Sequence, residues 1–265
     1  MKKFLSVLYV ILVLAFVYVP ILLLVFYSFN KGKTIGVFEG FSFVWYERLG
    51  DIKDVVINTF VLALVAAIVS TVLGTLGAIG IFYNKGKLGK SINGMSQIPV
   101  VNSEVVTACA LVMLFMALGF SHRSMFGLYV GHIILCTPFV VLSVIPKLKQ
   151  MDGSLYEAAL DLGATPAQAL FKVVLPEILP GILSGFMLAI TLSLDDYIIT
   201  ATLSPLDFDT ISTAVYKSIA LTTDKASERI PVYRALTTII FLITVLAVVL
   251  MNLSSKKKNE IKRSV

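Results

Sequence analysis

An all-α membrane protein with six transmembrane helices is the fold class this sequence predicts, and three observations carry it. The 265-residue chain is 57% hydrophobic and only 14% charged, well below the ~25% charged of an average soluble domain. Its apolar residues gather in six runs, each near the ~20 residues that cross the ~30 Å hydrocarbon core of a bilayer. Its basic residues concentrate in the short segments between runs and at the termini, as orientation in a membrane requires. The net charge of +6 therefore reflects topology and does not point to a nucleic-acid partner.

The first run covers about residues 4–29, after Lys2 and Lys3, with Pro20 inside it; membrane helices tolerate such a proline. No small-residue cleavage site follows, so an uncleaved anchor is expected rather than a signal peptide. The others cover about 57–83, 98–118, 126–145, 178–203 and 235–253, and the whole chain, 1–265, reads as a single transmembrane domain. Gly74, Gly77 and Gly80 in the second run, Gly127 and Gly131 in the fourth, and Gly181 and Gly185 in the fifth mark close helix approaches, where van der Waals contact drives association in lipid. Cys109 and Cys136 lie inside runs and read as small buried hydrophobes rather than a disulfide.

Lys85, Lys87 and Lys90, Lys147, Lys149 and Lys172, and the C-terminal group Lys256 to Arg263 fall on the same side as Lys2 and Lys3. The short loop on the other side has only Arg123, and the longer outer segments, 30–56 and 204–234, mix basic residues with acids such as Glu39, Asp51, Asp224 and Glu228. Both termini are thereby expected in the cytoplasm. Phe38 to Tyr46 on the outer side reads as a short interfacial helix anchored by the chain's only tryptophan, Trp45. Contact with an external binding protein is the alternative.

Between the fourth and fifth runs lies a mostly polar island, residues 151–176. Ser154 followed three residues later by Glu157 spells a capping box, in which hydroxyl and carboxylate each take an orphan backbone N–H. Gly163 supplies the left-handed residue that closes that helix. Thr165, Pro166 and Gln168 spell a second start. Helices this short are unstable alone and must be held by packing. A docking surface on the cytoplasmic side is the expectation.

The ionisable residues inside runs are few, and each costs roughly 2.5–3.5 kcal/mol at a helix centre. Glu104 stands early in the third run, near Pro99, and Asp195 and Asp196 stand together in the fifth. At ~1.5 Å per residue the pair lies about 26 Å along the helix from Ile178, in the outer half of the membrane. Neighbouring helix positions diverge by ~100°, so one carboxylate faces a watery pathway and the other a neighbouring helix or partner. Snorkelling, or a cap on a helix break, is the structural alternative. No Gly-x-x-x-x-Gly-Lys-Ser/Thr cradle occurs, so the chain is no P-loop ATPase. His122 and His132 lack partners at metal-ligand spacing, and His132 reads as a hydrogen-bonded packing residue. No catalytic, cofactor or metal site is expected.

The island also carries a resemblance. Glu157-Ala158-Ala159, three residues, Gly163, nine residues, then Val173-Val174-Leu175-Pro176 resembles the EAA loop of ABC-importer permeases, whose pattern has Ile where Val173 stands. Tyr18 to Ile21, Ser28-Phe29-Asn30, Trp45-Tyr46 and the run Thr191 to Asp196 are similar to the second permease subunit of spermidine/putrescine importers. Ser103 departs from that pattern, since related permeases often place Pro before the acidic residue of the third span. The resemblance implies a type I importer permease fold in the bacterial cytoplasmic membrane. It implies a cytoplasmic coupling helix that meets an ATPase through Glu157, Ala158, Ala159, Gly163, Leu175 and Pro176. The expected partners are a second permease, two ATPase subunits that bind the ATP, and an extracytoplasmic substrate-binding protein. Glu104, Asp195 and Asp196 are the candidate pathway residues, since carboxylates suit a polyamine's ammonium groups. The alternatives are a permease for iron, thiamine or molybdate, an ion-driven secondary carrier using Asp195 and Asp196, or a scaffold. No internal repeat of the carrier kind is visible.

Overall fold

The computed structural model describes residues 2–33, 37–84, 86, 91, 94, 98, 100–220 and 229–263, with side chains from 6 to 246. Lys85, Lys87, Lys90, Pro99, Asp224 and Glu228, invoked above, lie outside the described residues. Helix dominates, and among the described residues the only strand-like pairing is an isolated bridge between Asn30 and Phe41. Four helices are long and apolar enough to cross a membrane: Ser6–Ser28, Val44–Tyr83, Met125–Gln150 and Pro166–Asp195. Two shorter apolar helices, Glu104–Ala117 and Ile230–Leu246, accompany them.

The chain divides into two compact units, residues 1–54 with 215–265, and residues 55–214. In the first unit, α1 (Lys2–Ser28) runs through Pro20 without interruption and packs against the last helix, Ile230–Arg263. The chain then turns around Asn30. Its side-chain oxygen accepts from the Glu39 and Gly32 amides at 2.8 and 3.3 Å, and its amide nitrogen donates to the Val37 carbonyl at 2.7 Å. Trp45, on the short helix α2 (Val44–Glu47), is 5% exposed and donates its indole N–H to the Asn30 carbonyl at 2.8 Å. Trp45 is thus a bolt inside the loop rather than an outward-facing anchor: its ring is buried, and a buried indole N–H needs the protein partner it finds here. Phe38, Phe41 and Phe43, 43%, 72% and 66% exposed, face outward from this stretch.

The second unit is built on α3 (Lys53–Tyr83), α4 (Glu104–Ala117), α5 (Met125–Gln150), α6 (Ser154–Asp161), α7 (Pro166–Ala169) and α8 (Leu175–Asp195), followed by the short α9 (Ile198–Leu203). Helices α10 (Ile211–Ala220) and α11 (Ile230–Arg263) complete the order. The central pair is α5 and α8, and glycine lets them touch. A Cβ on Gly181 would stand 2.6 Å from Lys147 Cγ, and one on Gly185 would stand 3.2 Å from the Val140 Cα. Gly74 brings α3 onto the same Val140, 2.7 Å from its Cβ. Gly77 and Gly80 make no such approach, so only one of that trio is a contact notch. Cys136 and Val140 of α5, Ala67 of α3 and Ala189 of α8 are fully buried in this core. Cys109 is exposed, against the expectation that both thiols are buried.

Three helices differ in extent from the expected spans. The third helix begins at Glu104 and not near residue 98: Asn102 and Ser103 interrupt the helix, and Ser103, extended at φ −69° and ψ 148°, caps α4 by accepting from Val106 N. The run expected over 178–203 begins earlier and breaks at Asp196, which is extended at φ −62° and ψ 129°. The last helix starts at Ile230, before the expected 235, and continues to Arg263.

Candidate coupling loop and acidic helix break

The loop after α5 is set by backbone chemistry residue by residue. Met151 leaves the helix in an extended conformation. Asp152 then accepts from both the Ser154 amide, at 3.0 Å, and the Ser154 hydroxyl, at 2.8 Å. These two bonds, the amide first, hold the exposed Asp152 carboxyl below its ordinary range. The expected capping box of Ser154 with Glu157 is therefore corrected: Ser154 is already helical and spends its hydroxyl proton on Asp152, a charged and stronger acceptor. Glu157 and Ala158 are exposed on α6, with Glu157 in the first turn, and Ala159 is half-buried.

The end of α6 matches its reading. Gly163 has φ +85°, its amide donates to the Leu160 carbonyl at 2.9 Å, and the Ala164 amide donates to Ala159 at 3.0 Å. That pair of bonds is a Schellman closure. The second start matches too: Gln168 N donates to the Thr165 hydroxyl at 3.3 Å, and Thr165 N to the Gln168 side-chain oxygen at 3.0 Å. The continuation was not legible. Helix α7 passes through a π-helical stretch, Leu170–Val174, directly into α8. Pro176 has no N–H, and in a plain α-helix its ring would meet the carbonyl of residue 172; widening the turn relieves this. Leu175 is half-buried against the core and Pro176 is exposed. Leu162 and Phe171, 90% and 66% exposed, are apolar groups that the loop leaves uncovered.

The acids lie elsewhere in the same unit. Asp195, the last residue of α8, is exposed, whereas Asp196 is 4% exposed. Asp196 caps α9: it accepts from Ile199 N at 3.2 Å, Thr200 N at 2.9 Å and the Thr200 hydroxyl at 2.9 Å. Its carbonyl accepts from the Ser212 hydroxyl at 2.6 Å. His132 of α5 completes the network, with Nδ1 2.8 Å from Ser193 Oγ and Nε2 3.0 Å from Thr200 Oγ1. Since the Thr200 proton goes to Asp196, a neutral His132 donates from Nε2 and accepts at Nδ1. Glu104, exposed at the start of α4, is close enough to interact electrostatically with Asp196 and Asp195. The fold thus groups the three acids named from sequence but separates them by state: two exposed, one enclosed. His132, Ser193, Thr200 and Ser212 were not named as site residues, and no spacing signal joins them, because they come from different helices.

Residues 70–259 match the family described as binding-protein-dependent transport system inner membrane component. The chain belongs to this family. As such an inner-membrane component it is a multi-pass transport subunit and not an enzyme. The spermidine/putrescine transport system permease protein PotC of Haemophilus influenzae is 31% identical over 95% of this chain and 96% of its own. The putrescine transport system permease protein PotI of Escherichia coli K12 is 37% identical over 78% of this chain and 76% of its own. The PotC protein of the same strain is 28% identical over 93% and 92%. In this inner-membrane component the match begins within α3, takes in the loop and the helix break, and ends within the last long helix.

Proposed function

We propose that this chain is the transmembrane permease subunit of an ATP-driven polyamine importer, with Asp195 and Glu104 facing the pathway. It has six spans in the type I arrangement, both termini in the cytoplasm, and forms half of the route beside a second permease. Two ATPase subunits bind the ATP and dock on residues 151–176. An extracytoplasmic protein delivers spermidine or putrescine.

One observation carries the assignment: two exposed carboxylates stand at helix ends in an apolar bundle, and among the described residues neither forms an ion pair. Carboxylates left so at the ends of apolar membrane helices gain from a cation that offsets their desolvation, and a polyamine brings ammonium groups that make charge-assisted hydrogen bonds. Asp196 has a different role here, as the buried cap that fixes where α8 ends. At the cytoplasmic side, Glu157, Ala158, Ala159 and Gly163 shape the docking helix, Leu162 and Phe171 offer apolar contact, and Leu175 and Pro176 join it to α8. ATP-dependent movement reaches the pathway only through contacts that differ between the ATPase states.

The test is uptake of labelled spermidine and putrescine by Asp195→Asn, Glu104→Gln and the double variant, each normalised to subunit abundance. Loss of about tenfold or more, the worth of one charge-assisted hydrogen bond, is expected at unchanged abundance. Full uptake by the double variant would remove the cationic pathway. Tags at both termini should be reachable only from the cytoplasm and a label beside Arg123 only from outside; one terminus found outside ends the six-span arrangement.

A further inference from the structure

One side chain of α5 reaches both sides of the break between α8 and α9. His132 is fully buried, with Nδ1 2.8 Å from Ser193 Oγ and Nε2 3.0 Å from Thr200 Oγ1. Ser193 lies in the last turn of α8 and Thr200 in the first turn of α9, and both are buried. The Asp196 carboxylate works forward: it starts α9 through Ile199 and Thr200. The direction in which α8 arrives is left to the backbone torsions at Asp196, φ −62° and ψ 129°, which are soft by themselves.

The same stretch of α5 seats both helices. A Cβ on Gly131 would stand 2.7 Å from Ile199 Cγ2 and from Leu203 Cδ1, so α9 lies directly on α5 there. One turn further on, Cys136 Sγ donates to the Ala189 carbonyl of α8 at 3.4 Å. His132 stands between these two contacts, and its rigid ring gives one nitrogen to each helix. The consequence falls on Asp195. Helix positions two apart point ~200° from each other at ~100° per residue, so holding Ser193 against α5 turns Asp195 to the opposite side of α8. Burial agrees: Ser193 is 3% exposed, whereas Asp195 is exposed.

We propose that His132 is a positioning residue: by clasping Ser193 and Thr200 on one ring it fixes the α8–α9 break and aims the Asp195 carboxylate off the core. Its effect on transport rests on the reading of Asp195 as a pathway carboxylate. The aiming itself does not depend on what the pathway carries. Two substitutions each keep half of the clasp. Asn retains an acceptor where Nδ1 stands, for Ser193, and Gln retains a donor where Nε2 stands, for Thr200. Neither spans the break.

The experiment is electron paramagnetic resonance on the full chain, reconstituted with its partner subunits. Asp195→Cys carries a nitroxide in a Cys109→Ala background; Cys136 is fully buried. With His132 present the label should be immobilised. In His132→Asn and His132→Gln its mobile fraction should rise about fivefold, the worth of one lost hydrogen bond. A label at Met187→Cys, exposed on the middle of α8, should not change. An unchanged Asp195→Cys spectrum in both variants overturns the proposal, and so does equal loosening at Met187→Cys, which is the mark of a merely structural role. Should both His132 variants fail to assemble, Ser193→Ala opens the α8 half of the clasp alone and is held to the same outcomes. In uptake assays with Asp195 intact, both His132 variants should lose about fivefold per assembled subunit. In the Asp195→Asn background they should add no further loss, because contacting groups that act as a unit are not additive. A His132 loss that persists in full there overturns the aiming. Normal uptake by Asp195→Asn alone would instead end the pathway reading, and the spectra would still decide the clasp.

Discussion

The loop at 151–176 and the helix break are both places where a helix stops, yet they are held in opposite ways. In the loop every stop is local: Asp152 serves Ser154, Gly163 closes α6, and Thr165 and Gln168 exchange bonds three residues apart. At the break the stop is tertiary: Asp196 caps α9, but His132 from α5 and Ser212 from beyond α9 hold the cap in place. Local stops survive exposure to water and to a changing partner, because nothing distant is needed to maintain them. The tertiary stop is buried and is as firm as the packing of α5 on α8 and α9.

The difference can be broken most severely at Asp196. Asp196→Ala leaves two buried backbone N–H groups and the Thr200 hydroxyl without their acceptor, at ~1–3 kcal/mol for each unsatisfied group. The expected outcome is loss of subunit abundance and a lower melting temperature of the detergent-purified protein, while Asp195→Ala leaves both near wild type. Equal stability of the two variants would dissolve the contrast.

Gly163→Val comes next. A β-branched residue at φ +85° strains the turn by ~1 kcal/mol or more. Because the strain is confined to an exposed turn, the subunit should insert normally while transport and stimulation of the ATPase collapse. Normal uptake by this variant would separate the loop from coupling.

Thr165→Ala sharpens the comparison with a milder change. Removing an exposed cap costs roughly 0.5–2 kcal/mol in a helix, and Pro166 still begins the turn. A partial fall in uptake without loss of abundance is expected; a loss of abundance like that of Asp196→Ala would show that this cap also serves the core.

The smallest effect is with pH. Asp152 is held below its ordinary value of 3.8, so the stabilisation of its bonds to Ser154 is full above that value and fades as pH falls through the lowered one. Uptake ratios between wild type and Asp152→Asn should therefore stay constant from about pH 5 to 8. A ratio that changes within that interval would mean the carboxylate titrates there, against the geometry.

How much of this was legible in the sequence follows the same division. The Gly163 closure and the Thr165 start were readable because their partners lie within a few residues, and the apolar runs were readable because lipid demands length. The false box at Ser154 came from ignoring Asp152, a better acceptor two residues earlier. The end of α8 at Asp195 was read only as the alternative, a cap on a helix break: no glycine or proline marks it, and although Asp196 bonds Ile199 and Thr200 three and four residues on, the His132 and Ser212 groups around it come from other helices. Trp45 was misplaced for a similar reason, since its destination, the Asn30 carbonyl, is fifteen residues away. The π-helical stretch had a signal, Pro176, but a proline reads as a boundary and here marks a widened turn.

That stretch has a mechanical consequence. From Pro166 to Asp195 the chain is one helical rod of 30 residues, about 45 Å long, with no loop in it to absorb displacement. One end carries the Thr165 cap on the proposed docking surface and the other carries an exposed carboxylate. A shift of the docking end must therefore tilt, slide or turn the far end by a corresponding amount, unless the wide turn at Leu170–Val174 yields first. The stiffness of those five residues sets the gearing between the two ends of the rod.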